Sequence, residues 1–190
     1  MLWDETKTEI KGSMSIRGMI YASMFGALTA AGAYMAIPLP LVPMTLQTLF
    51  LYIAAGLLGG SLGALSQVIY LILGIIGLPV FAGGKTGIGV LIGPTGGYLI
   101  GFVIAAYVIG RMVALKKKPD FLWLVLSMAL GLIIIYLFGL AQLTIVADLS
   151  LKKSLLAGTG GGLYLVGDVV KVIVAAVATV KLRDRINIKD

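Results

Sequence analysis

Residues Phe81 to Phe102 read FAGGKTGIGVLIGPTGGYLIGF, with eight glycines, one lysine and one proline between two long apolar runs. A membrane helix does not need so many glycines, and a connecting loop is rarely this long or this apolar. Its first half contains Gly84-Lys85-Thr86, which has the look of a phosphate-binding loop. That motif requires a glycine five residues before Gly84, where Pro79 stands. It also requires a strand before it, a helix after it and an acidic residue nearby for magnesium, and no acidic residue follows until Asp120. The stretch is therefore not a nucleotide cradle, and its role depends on the solvent around its flanks.

Composition decides that solvent. Hydrophobic residues make up 59% of the 190 and charged residues 12%, and mean hydropathy is +1.07. These values lie outside the range of soluble domains. The length allows about six spans of roughly 20 residues, each enough to cross a bilayer. The absence of cysteine excludes disulfides and thiolate metal sites, and the absence of histidine removes the commonest general base and metal ligand. No metal site and no cofactor are expected. The net charge of +7 fits the lysine and arginine excess of cytoplasmic loops better than a nucleic-acid surface.

The expected architecture is an all-α membrane protein of six transmembrane helices, a single integral membrane domain over 1–190. Residues 1–15 form a cytoplasmic leader, 16–182 the six-helix bundle and 183–190 a cytoplasmic tail. The leader lacks the apolar core and cleavage site of a signal peptide. The spans are predicted at about Ile16–Ile37, Thr45–Leu58, Ala64–Leu78, Thr95–Arg111, Phe121–Leu140 and Leu163–Val180. Pro38, Pro40 and Pro43 end the first, since closely spaced prolines forbid helix. Gly59 to Gly63 is read as a short turn, and Asp148 to Gly162 as a loop. The leader, the loop after the fourth span and the tail hold eleven lysines and arginines, against Lys85, Lys152 and Lys153 on the opposite face. That asymmetry places both termini in the cytoplasm. The proline turn, the glycine-rich stretch and the Asp148–Gly162 loop then share the outer face, where long, individual loops are apt to build a site.

Two charges fall well inside a span, Asp168 and Lys171 in GDVVK. Each costs roughly 2.5–3.5 kcal/mol to insert near the bilayer centre, so such residues face a cavity or a partner. Their i, i+3 spacing sets them on one helix face, either as a self-neutralising structural pair or as a receptor for a small ligand carrying donors and an anionic group. Gln47, on the outer half of the second span, is an interhelical hydrogen-bonding group or a third polar contact. Tyr98 and Tyr164 are interfacial anchors by default, yet they lie where the fourth and sixth spans meet the outer loops and so can line a pocket. No nucleophile-and-base pair is available, and the chain is not expected to be an enzyme.

The stretch GGKTGIGVLIGPTGGYLIGF, followed by GDVVK in the last span, resembles the BioY family, the biotin-binding S components of energy-coupling-factor (ECF) transporters. The resemblance runs over essentially the whole chain: a small-residue first helix, a proline-rich first outer loop, the GPTGGYLIGF block and a final D-x-x-K helix. It implies the ECF S-component fold, high-affinity capture of biotin from outside, and residence in a prokaryotic cell membrane. It also implies two kinds of partner, a transmembrane coupling protein and two ABC-type ATPases that hydrolyse the ATP. The alanine-rich A-x-x-x-A pattern that contacts the coupling protein in S components is matched by Ala27 and Ala31, and Ala22, Gly26 and Ala30 would serve equally well.

Under this resemblance the biotin-binding residues are Asp168, Lys171, Gln47, Tyr164, Tyr98, Thr95, Gly84 and Thr86. Asp168 would accept from the ureido N–H groups, Lys171 would pair with the carboxylate or donate to the carbonyl, and the outer loops would close as a lid. Alanine at Asp168 or Lys171 is expected to weaken binding severely without unfolding the protein. The alternatives are an S component for a different vitamin or a self-sufficient secondary transporter. The latter usually shows internal repeats or several ionisable residues along a path, and neither is visible.

Overall fold

The structure, a computed structural model, describes residues 15–37 and 42–185. Helix α1 (Ile16–Tyr34) starts where the Ser15 hydroxyl accepts from the Gly18 N–H at 3.1 Å, satisfying one of the first-turn donors. A short antiparallel pair, β1 (Ala36–Ile37) and β2 (Met44–Thr45), follows across the proline segment. Helices α2 (Gln47–Leu58) and α3 (Gly60–Ile75) come next, then a 3₁₀ turn at Ala82–Gly84 and the single-turn helix α4 (Gly89–Ile92). Helix α5 (Gly96–Ala114), α6 (Phe121–Val146), α7 (Leu151–Gly158), a 3₁₀ turn at Gly160–Gly162 and α8 (Leu163–Arg183) complete the chain. Pro38, Pro40, the leader with Lys7 and Lys11, and Lys189 lie outside the described residues.

Each of the six expected spans is helical over most of its predicted length, with corrected ends. The first stops at Tyr34 because the backbone turns into β1, and the fifth runs on to Val146. The third begins at Gly60, because Gly59 alone, at φ +82°, joins α2 to α3. The Asp148–Gly162 loop contains α7, and the glycine-rich stretch contains α4. Among the described residues, α5, α6 and α8 are long and apolar enough to cross a membrane, while α2 and α3 are apolar but shorter. At 1.5 Å per residue those two rise only about 18 and 24 Å. The chain is a helical membrane protein.

In lipid, apolar surface no longer drives helices together, so close approach at small residues does. Helix α6 is apolar all round, yet its inward face is read from Ser127, Gly131 and Gly139, while Leu126, Ile133 and Leu137 face outward. Glycines of the GPTGGYLIGF block set α5 against it. A Cβ at Gly97 would lie 2.2 Å from the Phe138 carbonyl oxygen, and one at Gly101 would lie 3.0 Å from the Ile135 Cα. At the opposite end the α5–α6 turn is tied by Lys116, which donates to Asp120 at 3.1 Å and lies over the Trp123 ring. That hydrogen bond holds the Asp120 carboxyl below its ordinary pKa.

Helix α1 separates two rows of small residues. Gly18, Ala22, Gly26 and Ala30 are buried, and a Cβ on Gly26 would lie 2.9 Å from the Ser66 carbonyl oxygen in α3. Ser23, Ala27 and Ala31 are exposed on the other face. Ala30, 9% exposed and part of the core cluster, is thus a packing residue and cannot present itself to a partner.

Gly97→Ala forces a methyl onto a backbone oxygen that cannot rotate away, so it should cost about 1–3 kcal/mol. Gly89→Ala has no atom within 4 Å of the new methyl and should stay within about 0.5 kcal/mol of wild type. Thermal unfolding of the two purified variants in detergent tests the difference. Equal melting temperatures would contradict packing of α5 on α6 through Gly97.

Candidate binding site

At one end of the bundle the segment before α2 and its first turn, the loop from Phe81 to Thr95, the middle of α6, and the ends of α5, α7 and α8 surround a cavity. Its non-atom space, including the part open to solvent, is about 800 Å³. The walls are mostly apolar and aromatic, and Phe81, Tyr98, Phe102, Tyr136 and Tyr164 all line it.

The polar centre is Asp168, 6% exposed. Its Oδ1 lies 2.5 Å from the Lys171 Nζ, one helical turn on, and its Oδ2 accepts from the Tyr136 hydroxyl at 2.7 Å. Lys171 is equally committed. Its ammonium also donates to the Thr45 carbonyl at 3.0 Å and to the Thr48 Oγ1 at 3.1 Å. An ammonium has three N–H donors, and here each has a partner. Asp168 lines the cavity while Lys171 stands behind it, so the pair is both self-neutralised and turned toward the site.

This arrangement corrects one expectation. Removing either member strands the other charge in a buried site, which costs about 3–5 kcal/mol. Alanine at Asp168 or Lys171 therefore destabilises the fold as well as the site.

Gln47 is buried at the first turn of α2. Its Oε1 accepts from the Thr45 hydroxyl at 2.7 Å, and its Nε2 donates to the Tyr70 hydroxyl at 2.5 Å. One amide N–H remains for the cavity it lines. Tyr164 donates to the Val42 carbonyl at 2.9 Å and so fastens the segment before α2 to α8. Tyr98 donates to the Gly158 carbonyl at 3.3 Å and meets Tyr136 edge-on with ring centres 6.1 Å apart. The side chain occupies a slot that exists because Gly139 and Gly158 have no side chains, since a Cβ on Gly139 would lie 2.4 Å from the ring and one on Gly158 2.4 Å from the hydroxyl oxygen.

The glycine-rich stretch forms the remaining wall. Phe81, 1% exposed, presses on Gly74 and meets Tyr70 edge-on at 5.6 Å. The Tyr34 hydroxyl donates to the Pro79 carbonyl, joining this loop to α1. Farther on, the Gln142 Nε2 donates to the Leu91 and Gly93 carbonyls, both at 2.7 Å, which seats the loop on α6.

Of the residues expected to form the site, Asp168, Gln47, Tyr164, Tyr98 and Thr95 line the cavity, and Lys171 braces Asp168 from behind. Gly84 and Thr86 do not line it. The Thr86 hydroxyl turns back to the Gly74 carbonyl at 3.0 Å, and Gly84, at φ +72°, makes the turn. Their neighbours Phe81, Ala82 and Lys85 face the cavity instead. Sequence reasoning also missed Tyr136 and Thr48. A tyrosine in the middle of LIIIYLFG was the available signal for the first, because a hydroxyl at that depth needs a partner.

The BioY family pattern matches residues 6–188. A biotin transporter BioY from Thermotoga maritima is 40% identical over 168 residues, covering 88% of this chain and 96% of that one. A probable biotin transporter BioY from Lysinibacillus sphaericus is 39% identical over 175 residues, covering 90% of this chain and 87% of that one. The crystal structure of the S-component for biotin from an ECF-type ABC transporter superposes with a TM-score of 0.80 at 27% identity, covering 89% of this chain and 92% of that one. By the family match over residues 6–188 and its identity to these relatives, this chain belongs to the BioY family.

Proposed function

We propose that the chain is the high-affinity biotin-binding subunit of an ECF-type uptake transporter in a prokaryotic cell membrane. Its six helices of 12 or more residues cross the bilayer, the short α2 and α3 included, with both termini cytoplasmic and the cavity opening outward. The observation that carries this reading is the Asp168–Lys171 pair at the closed end of an aromatic cavity, in a fold shared with the biotin S-component.

Biotin has a ureido ring with two N–H donors and a carbonyl, a thioether ring, and a valerate chain ending in a carboxylate. The ureido N–H groups donate to the cavity side of Asp168, a charge-assisted contact of the strong class. Tyr136 aims the carboxylate and Lys171 supplies the opposing charge, so Lys171 positions Asp168 rather than reaching the ligand's own carboxylate. The free N–H of Gln47 and the Thr95 hydroxyl are further polar contacts, and the aromatic rings cover the bicycle. The Phe81–Thr95 loop closes the site.

Biotin is carried inward with a transmembrane coupling protein and two ABC-type ATPases, where the ATP is bound and hydrolysed. Ser23, Ala27 and Ala31, exposed in one row of α1, form a strip smooth enough for a coupling helix to approach closely.

Tyr136→Phe removes one hydroxyl and leaves the ion pair intact. It should weaken biotin binding about ten- to hundredfold, the worth of a hydrogen bond to a charged group. Calorimetric titration of the purified chain with biotin and a panel of other vitamins reads this directly. Wild-type affinity for Tyr136→Phe would remove the hydroxyl from the site, and tight binding of a different vitamin would reassign the substrate.

The docking strip is tested by Ala27→Leu with Ala31→Leu. The isolated variant should bind biotin as wild type does, while ATP-dependent uptake by the assembled complex fails. Undiminished uptake would count against that interface.

A further inference from the structure

We propose that Lys85 is a specificity-determining residue that reads the ligand's carboxylate at the mouth of the cavity. The proposal rests on the biotin reading above and adds how the anionic end of the ligand is recognised. It starts from charge commitments. The Asp168–Lys171 pair sums to zero, and all three N–H groups of Lys171 are occupied. A carboxylate placed beside Lys171 would displace one of those partners and sit against Asp168. The buried end of the cavity therefore suits neutral donors, and the ligand's anion belongs elsewhere.

Among the described residues, Lys85 is the lysine that lines the cavity. It is exposed, and it makes no ion pair among the described residues. Lys152 and Lys153 of α7 are exposed and do not line the cavity. Nor does Asp148, so no carboxylate of that loop competes at the mouth. The cavity thus has an acceptor at its buried end and an uncommitted cation at its open end. That polarity matches a molecule with N–H donors on one end and a carboxylate on the other, and it fixes which end enters first.

The backbone that carries Lys85 is held from both sides. The Phe81 N–H donates to the Lys85 carbonyl at 3.1 Å, and the Gly84 N–H donates to the Phe81 carbonyl at 3.0 Å. This tight turn needs left-handed backbone at Gly83 (φ +74°) and Gly84 (φ +72°), which glycine adopts without steric cost. Beyond Lys85, the Thr86 hydroxyl and the Gly87 N–H both donate to the Gly74 carbonyl, at 3.0 and 2.8 Å. With Phe81 seated against Gly74, the turn presents the lysine from a fixed place on the rim. Fixing the backbone in advance lowers the ordering cost that usually makes an exposed ion pair weak.

The test titrates the purified full chain with biotin and with biotin amide, which keeps the bicycle and chain but replaces the carboxylate by a neutral carboxamide. Wild type should prefer biotin by about fivefold, the upper worth of an exposed ion pair. The preference should shrink as salt rises from 0.01 to 1 M, where the screening length falls from about 30 to 3 Å. Lys85→Gln should bring the ratio to about one by weakening biotin alone, and Lys85→Arg should keep it. A wild-type chain that does not distinguish the two ligands, a preference independent of salt, or a Lys85→Gln variant that keeps the full ratio would each overturn the assignment. A wild-type chain that binds neither ligand would overturn the biotin reading itself, which is a separate failure.

Discussion

Burying Asp168 and Lys171 within an apolar helix is the constraint on which the rest of the site depends. Each ion loses several kcal/mol of hydration on leaving water, and their attraction offsets this only if the remaining lone pairs and protons also find partners. Those partners come from other elements. Thr45 and Thr48 bring the start of α2 against α8, and Tyr136 brings α6 to the same carboxylate. Thr45 in turn bonds Gln47, which bonds Tyr70 of α3. One ion pair thereby gathers α2, α3, α6 and α8 around a single point, and its Asp168 faces the cavity.

The second constraint is the absence of side chains. With little hydrophobic drive between helices in lipid, distance is set by what fits between backbones. Gly97 and Gly101 let α5 lie on α6, and Gly139 and Gly158 make the slot that holds Tyr98. The same stretch of sequence therefore contains two kinds of glycine. Gly83, Gly84 and Gly87 are there for left-handed backbone with open space around them, whereas at Gly96 and Gly97 another atom stands where a Cβ would go, and at Gly101 the Ile135 backbone lies close against it. The stretch is a turn and a rim in its first half and a packed helix in its second.

What was legible in the sequence follows from how far each signal reaches. Asp168 and Lys171 stand out locally, since two charges three residues apart in an apolar run have few explanations. The helical segments were visible for the same reason, because hydropathy needs no partner to be counted. Ala27 and Ala30 could not be told apart, because α1 carries small residues on adjoining rows and only the position of α3 shows which row is inside. Gly84 and Thr86 were recognisable as loop, but the Phe81 and Gly74 carbonyls that accept from them were not. Tyr136 and its hydrogen bond join residues 32 positions apart, a distance no local pattern spans.

A site whose polar groups already satisfy one another has a consequence for how a transport subunit works. In the proposed cycle the cavity must be stable both loaded and empty. An open Asp168 with no internal partner would bind a ureido ring more tightly, but it would leave an uncompensated charge each time the ligand departed. With Lys171 and Tyr136 in place, the empty site keeps its hydrogen bonds, and the ligand adds to or shares them rather than rescuing a stranded group. The net gain from each polar contact is then about the modest 0.5–1.5 kcal/mol of an exchanged hydrogen bond, or somewhat more where charge assists. In that proposed cycle high affinity would come largely from burying the bicycle among Phe81, Tyr98, Phe102, Tyr136 and Tyr164, which line the cavity. Apolar contact of that kind would be lost as the walls separate, so an opening rim loop would release the ligand without first breaking the Asp168–Lys171 pair.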